Sequence, residues 1–179
     1  MCRILAELTT LDQHLRMLDS DPASYRPEHC LHCGHSGLWA HGVYCRAGDK
    51  TTGSTHRKTR IPIPRFFCPP CGRTCSRVPA CLAPRRWYPW WVQAMVLQML
   101  LLGFSQRSTA KESGLDRRTV GRWWGWLQAH YSRFSFHLRS HFADLGRHAD
   151  VPAFWSACLS RPGLAGAMAT LCRLQVCVP

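Results

Sequence analysis

The residues best suited to chemistry in this chain are cysteines. Cys30-Leu31-His32-Cys33-Gly34 and Cys68-Pro69-Pro70-Cys71-Gly72 repeat one pattern, Cys-x-x-Cys-Gly. Two residues between thiolates let both sulfurs reach one ion from a tight turn. The glycine that follows lets the backbone aim its amide N–H groups back at the sulfurs. Two such turns, at the tips of two β-hairpins, are expected to form a tetrahedral four-sulfur site with metal–sulfur distances near ~2.3 Å. Four thiolates neutralise a divalent ion and leave no open position. The expected chemistry is therefore structural: one Zn2+ held by Cys30, Cys33, Cys68 and Cys71.

Neighbouring residues offer alternatives. Iron bound as in rubredoxin uses the same four ligands, but an electron carrier has no obvious use for a strongly basic, Trp-rich chain. His29, His32, His35 and His41 crowd the first turn, and Cys75 and Cys81 follow the second. His32 sits between two ligands and is expected to point outward, while Cys45, Cys75 and Cys81 are expected to be free thiols. The cysteines number 11, so no disulfide scheme uses them all. Glu7, Asp12, Asp19 and Asp21 interrupt the first residues in a way that a signal peptide would not. Paired cysteines in an unsecreted chain point to metal, and the expected location is the cytoplasm.

Charge points to the partner. The 23 Lys and Arg residues face only 10 Asp and Glu, a formal net charge of +13. An acidic polymer is the expected partner, nucleic acid before an anionic membrane. Around the second cysteine pair, Arg57, Lys58, Arg60, Arg65, Arg73 and Arg77 form a basic run suited to phosphates. The same imbalance argues against an enzyme, because few carboxylates remain for acid–base or two-metal chemistry. His137 and His141 lie four apart without an adjacent Glu, Tyr131 lacks the wider Arg/His set of a tyrosine recombinase, and no Gly-rich phosphate loop occurs. No membrane association is expected either, since the apolar run from Trp90 to Phe104 falls short of the ~20 residues that cross a bilayer.

Composition divides the chain into four segments that must position these groups. Residues 1–24 are expected to hold an amphipathic helix, with Ile4, Leu8, Leu11, Leu15 and Leu18 on one face and a stop at Asp19-Ser20-Asp21-Pro22. Residues 25–84 read as the cysteine ribbon, with strand formers around Val43 and Tyr44 and again from Ile61 to Phe67. Pro62 and Pro64 restrict that second strand to a sheet edge. Residues 85–142 are helical. There Ala110, Gly114, Leu115, Val120 and Trp123 follow the helix-turn-helix spacing: a small residue where helices cross, a left-handed glycine at the turn, and apolar plugs beyond it. Asp116 is placed to cap the second helix, expected over about 117–128, with Trp124 or Leu127 completing its inward face. Arg117, Arg118, Thr119 and Arg122 would face the major groove. Residues 143–179 read as a loop around Gly146 and two apolar helical pieces split at Pro162-Gly163, packed on the helical core or on a partner. The fold class is α+β: a small four-cysteine zinc ribbon of β-hairpins, then a mostly α helix-turn-helix region.

The paired Cys-x-x-Cys-Gly knuckles, the Arg65-Phe66-Phe67-Cys68 entry and Gly72-Arg73-Thr74 exit of the second, and the helix-turn-helix that follows together resemble the DNA-binding front end of transposase-related proteins from bacterial insertion sequences. The resemblance covers about residues 29–127. It implies double-stranded DNA as partner, at element ends or the element's promoter. It also implies the four named cysteines as metal ligands and Arg117, Arg118 and Arg122 as readers of bases or phosphates. Full transposases of this kind continue into a nuclease core with Asp/Glu metal ligands. Beyond Leu127 only Asp144 and Asp150 are acidic, so an accessory factor, a regulator or a detached front end is expected. A transposase or a second copy of the chain would be the protein partner, and the bacterial nucleoid the location when bound. The alternative is a protein- or RNA-interaction module built on the structural ribbon.

Overall fold

In a computed structural model of the protein, residues 3–47, 60–84 and 88–176 are described. The chain is mixed helix and strand and divides into two compact units, Met1–Pro89 with Cys172–Pro179, and Trp90–Leu171.

The first unit is built on a three-stranded antiparallel sheet of β2 (Trp39–Ala47), β3 (Arg60–Cys68) and β4 (Arg73–Cys75), in that spatial order. A bulge between Ala40 and Val43 breaks the β2–β3 register. The amphipathic helix expected from the first residues is shorter than its apolar pattern suggested. Ile4–Leu5 instead form β1, a parallel pair with β5 (Val78–Pro79). Helix α1 (Leu11–Ser20) starts only at Thr10, whose hydroxyl accepts the Gln13 N–H while the Gln13 side chain accepts the Thr10 N–H.

The inward face of α1 is also rotated from the expected one. Leu15 is 45% exposed, whereas His14 is completely buried. Nε2 of His14 lies 2.9 Å from the Pro62 carbonyl oxygen and Nδ1 lies 2.6 Å from the Tyr25 hydroxyl. A carbonyl only accepts, so Nε2 carries the proton and the Tyr25 hydroxyl donates to Nδ1. Burial lowers the His14 pKa and pushes that of Tyr25 up to about 12, which keeps both groups neutral.

The same bond accounts for the prolines. β3 is the central strand, not an edge strand as a whole, but β4 pairs only with Phe66–Cys68. Across Pro62 and Pro64 only β2 is hydrogen-bonded, and His14 takes up the carbonyl on the open side. Proline is tolerated there because no ladder bond is lost.

The second unit is helical: α2 (Trp90–Leu101), α3 (Gln106–Ser113), α4 (Arg117–His141), a 3₁₀ turn (Ala143–Arg147), α5 (Val151–Ser160) and α6 (Gly163–Arg173). Helix α2 carries no charged residue and packs against α3, α4 and α5. Phe134 of α4 and Phe154 and Trp155 of α5 interlock edge-to-face in a fully buried aromatic core. The apolar tail thus packs, through α5, on its own helical core, and Cys158 is a buried part of that core. Its two helices divide at Pro162-Gly163 as the sequence indicated. Among the described residues no helix is long and apolar enough to cross a membrane.

Candidate metal centre and basic helix

Each cysteine turn is shaped by backbone bonds that local sequence permits. In the first knuckle the Gly34 N–H donates to the Cys30 carbonyl and the Cys30 N–H to the His35 carbonyl, with a single bridge between His29 and Ser36. In the second, the β3–β4 hairpin delivers Cys68 at its last paired position, opposite Arg73, and the Gly72 N–H closes on the Cys68 carbonyl at 2.9 Å. Gly34 and Gly72 both take positive φ, 77° and 64°, a conformation that any side chain would strain. The second knuckle is therefore a hairpin tip as expected. The first is a turn closed by one bridge.

The four sulfurs of Cys30, Cys33, Cys68 and Cys71 all lie within 4.8 Å of one another. Cys30 and Cys71 approach to 3.6 Å, as do Cys33 and Cys68. Disulfides would bring sulfurs to about 2.05 Å, whereas a tetrahedral ion with ~2.3 Å bonds to sulfur sets them about 3.8 Å apart. The all-sulfur donor set and its spacing therefore fit one metal ion. Burial raises the Cys30 thiol, but N–H groups of Cys33 and His32 and the neighbouring sulfurs outweigh it and bring its pKa down to about 6. The His32 N–H lies 3.4 Å from the Cys30 sulfur, which is the amide-to-sulfur bonding expected around a bound metal.

A fifth thiol adjoins this group. Cys75 Sγ lies 3.7 Å from Cys30 Sγ and accepts the Leu31 N–H at 3.4 Å. It is buried and forms no disulfide, and burial pushes its pKa up to about 11. Its spacing, four residues after Cys71, offers it as an alternative ligand in a different register, and the group of four leaves it outside. The short strand β4 brings it beside Cys30, by pairing Cys75 with Phe66.

The described basic residues expected around the ribbon differ in exposure. Arg60 and Arg73 are exposed, and Arg73 Nη1 lies 3.5 Å from His32 Nδ1. Arg65 is half-buried over the Tyr44 ring, and Arg77 is half-buried with its Nε enclosed. Arg57 and Lys58 lie outside the described residues.

In the second unit, Ser105 caps α3, which ends at Gly114 with φ 65°. Two residues later the Asp116 carboxylate accepts the Arg118 N–H at 2.8 Å and starts α4. Ala110, Val120 and Trp123 are buried, and Leu127 rather than Trp124 completes the inward face. Helix α4 continues to His141, well past the expected end near residue 128, because Phe134 and Leu138 extend its buried stripe into the aromatic core. Arg117, Arg118 and Arg122 are exposed at its N-terminal end. Thr119 departs from the outward placement expected of it. It is buried against the unit, and its hydroxyl accepts from Arg122 Nη2 at 3.1 Å. Its position one residue before Val120 puts it at the edge of the inward face, where it orients Arg122 instead of meeting a base.

The chain matches no protein-family model, no curated protein and no solved structure.

Proposed function

We propose that this protein is a zinc-dependent, non-enzymatic binder of double-stranded DNA that serves a mobile genetic element as accessory factor, regulator or detached transposase front end. Zinc held by Cys30, Cys33, Cys68 and Cys71 builds a ribbon too small to fold on its own apolar core. Exposed arginines of both units neutralise phosphates, and the N-terminal end of α4 enters the major groove. The observation that carries the reading is the Gly114 turn. It joins two capped helices that bury Ala110, Val120 and Trp123, and it leaves Arg117, Arg118 and Arg122 uncovered at the start of the second. The mobile-element role rests on the sequence resemblance.

A gel-shift salt titration tests this. Log affinity for duplex should fall linearly with log salt, with a slope of about −5 for roughly six neutralised phosphates. Competition with random duplex should then reveal a preferred site. Arg122→Ala should weaken the preferred site by about ten-fold and relax its sequence preference. Binding that is indifferent to salt, or absent at low ionic strength, would overturn the reading.

One observation favours a protein partner alongside DNA. Trp91 and Met95, four apart on the uncharged α2, and Leu102 in the turn that follows it are exposed, an apolar surface suited to a second copy or a transposase.

A further inference from the structure

We propose that one face of the β2–β3–β4 sheet is a stacking platform for unpaired bases of single-stranded DNA, a surface that extends the DNA-binding reading and rests on it. The strand register sets Trp39 opposite Phe67 and Phe67 opposite Thr74, so these three share a face. The His41 ring lies 5.6 Å from that of Phe67 with only 33° between their planes. Two residues before Phe67, on the same face, Arg65 lies over the Tyr44 ring at 5.3 Å. Trp39 is 64% exposed. Flat aromatic surface thus lies open to solvent beside a guanidinium. Tyr44 and Thr74 continue into a cleft bordered by Arg3 and His32.

Charge selects the occupant. Neither residues 39–46 nor residues 60–84 contain an Asp or Glu, and Arg65 lies on this face while the exposed Arg60 and Arg73 alternate onto the other face of the same small sheet. The face therefore favours a ligand that is anionic and also presents flat, polarisable rings. Nucleotides combine the two, with bases stacking on the aromatic rings and the phosphate backbone meeting Arg65 and the arginines at the sheet margin. An intact duplex buries its base faces in its own stack and offers this surface only a backbone. Unpaired strands, such as a frayed or nicked end, expose them.

The test uses the full chain with its metal, and fluorescence anisotropy on three probes of equal length: oligothymidylate, the same oligomer with abasic sugars, and blunt duplex. Oligothymidylate should bind about ten-fold more tightly than its abasic counterpart. Trp39→Ala should remove that advantage without changing metal content or duplex affinity, and Trp39→Phe should keep most of it. His41→Ala provides a second variant should Trp39→Ala disturb the sheet. Equal binding of the base-bearing and abasic strands, or an unaltered preference in soluble Trp39→Ala and His41→Ala proteins, overturns the proposal. So does a Trp39-dependent self-association with no preference for bases, which would assign the face to a second copy. Loss of binding to the duplex arm would instead overturn the DNA reading itself, so the two failures are distinguishable.

Discussion

Cys75 and Cys30 hold their sulfurs 3.7 Å apart, yet only Cys30 belongs to the group of four that closes around a common point. Cys75 approaches from the side, fixed by the strand pair with Phe66 and by the Leu31 N–H. Cys75 packs against the group of four and accepts a hydrogen bond from the backbone.

A difference between two serine variants follows. Cys75→Ser should retain one metal per chain, with a modest loss of stability from a lost buried contact. Cys33→Ser should lose stoichiometric metal, because three thiolates leave the ion open to water and to competing chelators. Elemental analysis of both purified proteins measures this, and metal loss in Cys75→Ser would overturn the ligand assignment.

Acid sensitivity should trace in part to His14. Burial lowers its pKa in the folded chain below the ordinary value of 6.5. The unfolded chain therefore takes up a proton first as pH falls through about 6.5, and stability rises with pH across that window. Thermal unfolding of the wild type between pH 5 and pH 7.5 should show more loss on the acid side than His14→Gln. The glutamine can still donate to the Pro62 carbonyl but does not titrate. Identical pH slopes in the two proteins would remove His14 from the account.

Gly114→Ala isolates backbone strain. A Cβ there would meet open space, so the cost is that of holding alanine at φ 65°, about 1–2 kcal/mol. Chemical denaturation should register that loss in the helical unit, with the metal content unchanged. A neutral substitution would mean that the turn relaxes freely and does not fix the angle between α3 and α4.

Much of the site was legible in the sequence because its signals are local. Cys-x-x-Cys-Gly carries its own geometry in five residues, and the Ala110–Gly114–Val120–Trp123 spacing reports the contacts of one helix pair. Most of what could not be read depended on partners distant along the chain. Ile4 and Leu5 continue a helical apolar pattern, yet they form a strand because Val78 and Pro79 offer a parallel edge. His14 displaced Leu15 from the interior because Tyr25 and the Pro62 carbonyl satisfy both ring nitrogens. Helix α4 ran past its expected end because α5 supplies Phe154 and Trp155 to cover its second half. Thr119 turned inward since a hydroxyl at the border of a buried stripe gains more from Arg122 than from water. The aromatic face around Trp39 was not legible either, because only the strand register sets Trp39 beside Phe67.

The claim on which the rest depends is that four thiolates gather one ion and that the first unit folds around it. Mass spectrometry of the intact protein under native conditions, before and after a strong chelator, addresses it directly, with circular dichroism followed in parallel. One zinc per chain is expected, its removal should melt the β2–β3–β4 sheet and leave the helical unit largely intact, and added zinc should restore the sheet. A chain that carries no metal as isolated and keeps the same sheet in chelator would contradict the account.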